Sequence, residues 1–191
     1  VGVLSGGFFH KRLDDYIYVF TYEEDRDGET FDVTQPLNGE KGTLTGFEAA
    51  IQSARVLGDF GLLANYTYTD SEAEFPDREG EKASLPGQAK HVGNVALLFE
   101  QGGFSGRLAL NFHGRYIAEV GGDASEDVYK DNHSQLDFAA SQRIGGTGLR
   151  LFVEVNNLTN EPLRFYEGSE DRPIQEEYYR WWGAFGVKWD F

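Results

Sequence analysis

From Tyr179 onward the chain alternates between apolar and polar positions. The odd residues read Tyr179, Trp181, Gly183, Phe185, Val187, Trp189 and Phe191, and the even ones Arg180, Trp182, Ala184, Gly186, Lys188 and Asp190. In an extended strand successive side chains point to opposite faces, so a period of two makes one apolar face and one polar face. Here the apolar face has aromatics at both ends, and the opposite face carries three charges. The same period recurs upstream. Leu149, Leu151, Val153 and Val155 oppose Arg150, Phe152, Glu154 and Asn156. Phe104, Leu108, Leu110, Phe112 and Tyr116 oppose Ser105, Arg107, Asn111, His113 and Arg115. Leu136, Phe138 and Ala140 oppose Gln135, Asp137 and Ser141, and Phe60, Leu62, Ala64, Tyr66 and Tyr68 oppose Asn65, Thr67 and Thr69.

The pattern predicts about nine antiparallel strands, near 2–11, 15–22, 43–57, 60–71, 88–100, 104–116, 134–144, 149–157 and 179–191. Several exceed the ordinary soluble strand of about 5–6 residues. Twelve residues at about 3.3 Å each, tilted by about 45°, rise roughly 28 Å, close to the apolar band of an outer membrane. The connections alternate in length. Leu13–Asp14, Gly58–Asp59, Gln101–Gly103 and Gly145–Gly148 read as short turns, and 23–42, 72–87, 117–133 and 158–178 as long loops. Transmembrane barrels have this asymmetry, with short periplasmic turns and long extracellular loops.

Charge sharpens the division. The formal net charge is −15, and the acids gather in the long loops: Glu23, Glu24, Asp25 and Asp27; Glu72, Glu74, Asp77, Glu79 and Glu81; Glu119, Asp123, Glu126 and Asp127; Glu167, Glu170, Asp171, Glu176 and Glu177. A nucleic-acid partner is not expected, because phosphate binding needs a basic surface. The 24 Gly, 15 Phe and 10 Tyr favour strands and tight turns. Absence of cysteine excludes a disulfide framework and a thiolate metal site. No run of 18 apolar residues is present, so a closed barrel is the remaining way to span a bilayer. With no initiator Met and no leader-like segment, the chain is expected to be an internal-to-C-terminal piece; a mature protein after leader cleavage is the alternative.

Alternation by itself also fits a soluble antiparallel sheet with its apolar face turned inward. Strand length, the short/long asymmetry and aromatics at the ends of the apolar faces favour the membrane. Tyr66, Tyr68, Tyr116, Tyr179 and Trp181 would form the outer girdle, and Trp189 and Phe191 the periplasmic one.

Several segments resemble one family. The terminal Phe191, with Phe185, Val187 and Trp189 at every second position before it, is similar to the last strand of outer-membrane barrels. Val155–Asn156–Asn157–Leu158–Thr159–Asn160 resembles the segment preceding the final strand of TonB-dependent receptors, and Thr45–Gly46–Phe47–Glu48 and Leu85–Pro86–Gly87–Gln88 resemble recurrent segments of the same family. The tail from Arg164 through Arg172–Pro173 to Tyr179 is similar to a subgroup linked with carbohydrate uptake. The resemblance covers residues 1–191 and implies the following. The chain is an all-β, antiparallel transmembrane β-barrel portion, about nine C-terminal strands of a 22-stranded barrel. An N-terminal plug domain upstream, with the TonB box, fills the lumen. The partners are outer-membrane lipid, that plug, the TonB complex acting through it, the barrel-assembly machinery acting on Phe185, Val187, Trp189 and Phe191, and a small-molecule nutrient. The place is the outer membrane of a Gram-negative bacterium, and the function is TonB-driven uptake of a ferric siderophore or an oligosaccharide. A passive porin or structural barrel and a soluble β-sandwich binding module are the rival readings. Nine strands alone would leave two unpaired edges in a bilayer, so no functional pore is expected from this chain by itself.

No catalytic signature is present: there is no G-x-S-x-G, H-E-x-x-H or P-loop, so no catalytic residue and no enzyme are expected. No cofactor is implied. Glu23, Asp25, Asp27 and Gly28 resemble half of a calcium loop, but Thr34 stands where the closing Glu is required; the four His show no ligand spacing, and no metal site is expected. Ligand contact remains. On the polar faces, Arg107, Asn111, Arg115, Glu154 and Arg180 point toward a lumen, where contact with a plug competes with contact with a nutrient. In the loops, Tyr129, Phe165, Tyr166 and Tyr178 offer rings that could stack on a sugar or an aromatic chelate, or pack between loops.

Overall fold

The computed structural model describes residues 2–76, 78 and 80–189; Val1, Asp77, Glu79, Asp190 and the terminal Phe191 lie outside the described residues. Every regular element described is a strand. The wall is one antiparallel sheet of long strands in the order β1 (Gly2–Asp14), β4 (Lys41–Leu57), β5 (Phe60–Glu74), β7 (His91–Gln101), β8 (Phe104–His113), β11 (His133–Ile144), β12 (Leu149–Asn156) and β15 (Trp182–Trp189). A two-residue strand, β6 (Lys82–Ala83), adds to β5. Among the described residues β1 and β15 are paired on one side only, so the sheet is open.

Register makes the two faces continuous across the wall. Ser53, Leu62, Leu97, Leu108, Phe138, Val155 and Gly183 lie opposite one another on successive strands. Leu4, Ile51, Ala64, Val95, Leu110 and Leu136 form a parallel row on the same face. The other face carries Ser5, Ala50, Asn65, Asn94, Asn111 and Gln135 as one row. Among the described residues no element covers the apolar face, and Phe185 on it is 90% exposed. The total accessible surface is 12529 Å², whereas a compact globule of this mass exposes roughly 9,100 Å². An open one-layer sheet exposes both of its faces, and the apolar one is surface that needs a solvent other than water.

Gly46 shows how the wall is packed. A side chain there would strike the Tyr68 carbonyl and the Phe9 ring, so only glycine lets the strand pass beneath Phe9.

At one end of the wall the connections are the short turns around Gly58–Asp59, Gly102–Gly103 and 145–148. At the other end they are the runs 15–40, 75–90, 114–132 and 157–181. Two expectations are corrected here. Leu13–Asp14 is not a turn but the end of β1, and 15–22 is not a wall strand. It belongs to a hairpin of β2 (Ile17–Arg26) and β3 (Glu29–Asn38) that stands off the wall, while β1 pairs directly with β4. Asp27 (φ 54°) and Gly28 (φ 85°) make its two-residue turn, the left-handed pair that a tight hairpin requires. The half-match to a calcium loop is therefore a hairpin tip. Alternation in β2 is real, but its Tyr18 and Phe20 face other loops.

The loops are not irregular. β9 (Tyr116–Glu119), β10 (Val128–Lys130), β13 (Leu163–Glu167) and β14 (Pro173–Glu177) form a second sheet in the order β14–β13–β10–β9, which follows the wall order of β15, β12, β11 and β8. The hairpin of β2 and β3 docks on β9, with the Thr21 amide donating to the Val120 carbonyl at 3.0 Å and the Val120 amide to Val19 at 2.9 Å. Tyr18, Phe20, Ala73, Phe75, Ile117 and Val120 bury one another there, flanked by Tyr16, Tyr22, Leu37, Ala83, Leu85 and Tyr129. Thus the apolar core of the described chain lies in its loops.

Candidate functional site: a cleft at the loop end

The segment 155–160 forms the joint between wall and loop sheet. Asn157 (φ 55°) and Asn160 (φ 54°) take left-handed conformations, which Asn tolerates better than most residues. The Asn157 amide donates to Asp137 at 2.9 Å, its side-chain nitrogen to the Glu161 carbonyl at 3.1 Å, and its side-chain oxygen accepts from the Glu161 amide at 2.8 Å. Asp137 also accepts from Asn111 at 3.0 Å and from Gln135 at 2.7 Å. The motif is a knuckle that lets β12 end and β13 begin at an offset.

Above the start of β7 only the two-residue β6 pairs with the upper end of β5, and among the described residues no long strand bridges from there to β9. The gap is a cleft of about 560 Å³, bordered by Arg78, Lys82, Lys90, Arg115, Tyr116 and Tyr129. Each of its four cations is held by a carboxylate. Arg78 and Asp127, 2% and 1% exposed, pair at 2.6 Å, and Arg78 also donates to Glu81 at 2.7 Å. Lys82 meets Glu72 at 2.6 Å, Lys90 meets Asp70 at 3.0 Å, and Arg115 meets Glu170 at 3.2 Å.

Burial pushes the Asp127 carboxyl up, opposed by the Gly121 amide and by Arg78. Burial also works against the charge on Arg78, but its bonds and proximity to Glu81 and Asp127 outweigh that and hold it firmly cationic. Asp127 further accepts the Gly121 amide at 3.1 Å, and the guanidinium lies 5.7 Å from the Phe75 ring centroid. This buried pair ties the run 75–90 to the run 114–132.

The expected site residues separate. Tyr129 lines the cleft with its ring stacked on Tyr166 at 5.3 Å and 14°. Tyr166 is 1% exposed, so its ring supports Tyr129 and is closed to a ligand, while its hydroxyl takes a hydrogen bond from Arg115 at 3.4 Å. Phe165 is opposite Lys130 and Gln175 in the loop sheet. Tyr178 is exposed and bonds Glu176 at 2.7 Å, away from the cleft lining. Arg107 and Glu154 flank Ala139 on the polar face of the wall, and Asn111 is engaged by Asp137. Arg180 was expected on the polar face of the last strand, but β15 begins at Trp182 and Arg180 sits before it in coil with φ 61°. Phe185, Val187 and Trp189 lie on the apolar face of β15 as expected.

The cleft's Arg78, Asp127, Lys82 and Lys90 escaped the sequence reading. The one available signal was Arg78, the sole cation between Asp70 and Glu81. Among the described residues no group of His or carboxylates is arranged to hold a metal ion.

A family profile described as "TonB dependent receptor-like, beta-barrel" matches residues 2–158. The fold is similar to a crystal structure of Fiu, the ferric-catecholate import receptor of E. coli K12, in its closed form, with a TM-score of 0.64 at 14% identity. The match covers 97% of this chain and 25% of that one, so the chain spans about a quarter of the receptor's length. Curated protein sequences give no match.

Proposed function

Because the chain belongs to the TonB-dependent receptor β-barrel family, non-catalytic transport proteins of the Gram-negative outer membrane, we propose that it forms part of the barrel wall and loop rim of a receptor importing a scarce nutrient with energy from TonB. In this reading the apolar face meets lipid, the polar face meets a plug domain, and the loop end is extracellular. The plug carries the contact with TonB, and β15 with Phe185, Val187, Trp189 and the terminal Phe191 is what the assembly machinery recognises. In this reading the eight long wall strands of the described residues are a share of a 22-stranded barrel.

We further propose an oligosaccharide as the nutrient, rather than a ferric siderophore. The observation that carries this is the pairing of every cleft cation with a carboxylate beside the Tyr116 and Tyr129 rings. An anionic chelate would have to displace those carboxylates. A neutral polyhydroxylated ligand can accept from the cations and donate to the carboxylates at once, and stack on a ring. The test is calorimetric titration of the full-length receptor with a panel of neutral oligosaccharides and with a ferric catecholate. Saccharide binding that weakens at least tenfold in Tyr129→Ala is expected. Binding of the chelate and of no saccharide overturns the substrate class and leaves the transport reading in place.

A further inference from the structure

At the turn end of the polar face, charges of opposite sign border one hollow without meeting. Arg143 and Arg150 are directly opposite one another on β11 and β12, a placement that like charges disfavour. Glu100, on β7, lies beside Asp59, with the Glu100 amide donating to the Asp59 carbonyl at 3.0 Å. Ser105 and Ser141 continue the row from Glu100 towards the arginines, and their hydroxyls are 2.8 Å apart. All six border a hollow of about 390 Å³. Among the described residues neither arginine and neither acid has an ion pair. Asp59 accepts from the Gln101 amide at 2.8 Å, and the Arg150 Nε is buried without a hydrogen-bond partner. A ring completes the lining. A second hollow of about 270 Å³ shares Glu100, Ser105 and Ser141 with the first and is bordered by Phe152. Phe152 is opposite Gly186, where any side chain would strike its ring, so glycine there lets an aromatic ring lie over the polar face.

The balance of these charges selects the ligand. Two arginines and two acids cancel, so the hollow favours neither an anion nor a cation. Glu100 and Arg143 are two strand spacings apart, about 10 Å, which leaves room for a ligand between them. A neutral polyhydroxylated molecule accepts from the guanidinium groups, donates to the carboxylates through the same kind of hydroxyl, and lays a C–H face on the Phe152 ring. We infer that the two joined hollows are a second saccharide subsite, at the opposite end of the wall from the cleft and on the exit side of the transport path. This rests on the reading above, in which the nutrient is a neutral oligosaccharide that enters at the loop end. The two ends differ in what they ask of it. In the cleft each cation is already held by a carboxylate, and the saccharide shares both partners. At the turn end the groups stand apart, and the saccharide bridges them. The Arg150 Nε then receives the acceptor it lacks.

The test is calorimetric titration of the purified full-length receptor with a panel of neutral oligosaccharides of glucose, mannose and xylose. Two sites are expected in the wild type. Tyr129→Ala weakens one of them and leaves the other within twofold. Arg143→Gln/Arg150→Gln weakens that other site at least tenfold and leaves the loop-end site within twofold. Glu100→Gln weakens the same turn-end site at least threefold. Barrel assembly of each variant is read by heat-modifiable gel migration, and should the double variant fail to assemble, Glu100→Gln decides. A single site that Tyr129→Ala weakens and the turn-end variants leave unmoved overturns the inference and keeps the loop-end reading. A single site that the turn-end variants weaken and Tyr129→Ala leaves unmoved supports the inference and overturns the loop-end reading. Binding of no saccharide overturns both.

Discussion

The loop end and the wall of this chain are stabilised in opposite ways. At the loop end Tyr18, Phe20, Phe75, Ile117 and Val120 turn their apolar surface onto one another, and a buried Arg78–Asp127 pair lies beside them. In the wall Leu97, Leu108, Val153 and Phe185 turn outward and touch no covering layer. The first is how a protein folds in water; the second is how a strand ladder folds in lipid, where backbone pairing satisfies the polar groups and the bilayer covers the side chains. One sequence thus meets two solvents, and substitutions should separate them.

The largest separation is expected from Asp127→Ala. It leaves the buried Arg78 with only the half-exposed Glu81 as its counter-charge, at a cost of at most about 3–5 kcal/mol. The cost falls on the loop end alone. The variant should still assemble as a heat-modifiable barrel while its loops become cleavable by externally added protease. Loss of barrel assembly would show that wall and loops fold as one unit and would break the comparison. Leu97→Arg is the converse. A charge on the lipid face near mid-span costs about 2–4 kcal/mol, read as reduced refolding yield into vesicles. Ala96→Ser, one residue away on the polar face, should leave that yield within twofold of wild type.

Asn157→Ala sits at the boundary of the two regions. It removes both side-chain bonds to Glu161, each worth about 0.5–1.5 kcal/mol, and replaces a residue that tolerates φ 55° with one that does not. Asn157→Gly keeps the conformation and loses only the bonds, so it should be the milder of the two in urea-induced unfolding of the reconstituted receptor. Equal effects would mean that the left-handed backbone contributes nothing.

The same contrast explains what was legible in the sequence. Alternation identified the wall because every wall strand leaves its apolar face uncovered in the same way, so each strand carries the signal independently. It also found β2, but could not say that Tyr18 and Phe20 face Ile117 and Val120 instead of lipid, since both environments ask for the same side chains. The false turn at Leu13–Asp14 followed from that, because a strand at 15–22 in the wall needs one. At the cleft the decisive contacts are long-range. Arg78 and Asp127 are 49 residues apart, and in the sequence both disappear into acidic loops that read as solvated. That Glu100, Ser141, Arg143 and Arg150 border one hollow depends on register, which spacing alone does not supply.

The smallest expected effect concerns Tyr16, and it sharpens the claim that the loop end is an aqueous core. Its hydroxyl donates to the Glu74 carbonyl at 2.8 Å, and its ring lies over Gly39, where any side chain would collide with it. Burial, then the neighbouring Tyr18, Glu40 and Glu74, raise its pKa well above that of a free tyrosine. A raised folded-state value means that folding favours the neutral form. The contribution is therefore complete below about pH 10, the ordinary tyrosine value, and is lost as pH rises beyond it. Tyr16→Phe removes the hydrogen bond, at a cost of about 1 kcal/mol, and also the ionisable group. Amide exchange of the 15–40 run should be faster in Tyr16→Phe than in wild type at pH 8, and the difference should shrink above pH 10, where ionisation of Tyr16 in the opened chain stabilises the opened wild type. A difference that stays constant through that range would mean that Tyr16 ionises alike in the folded and opened chain, so that water already reaches the core it was said to close.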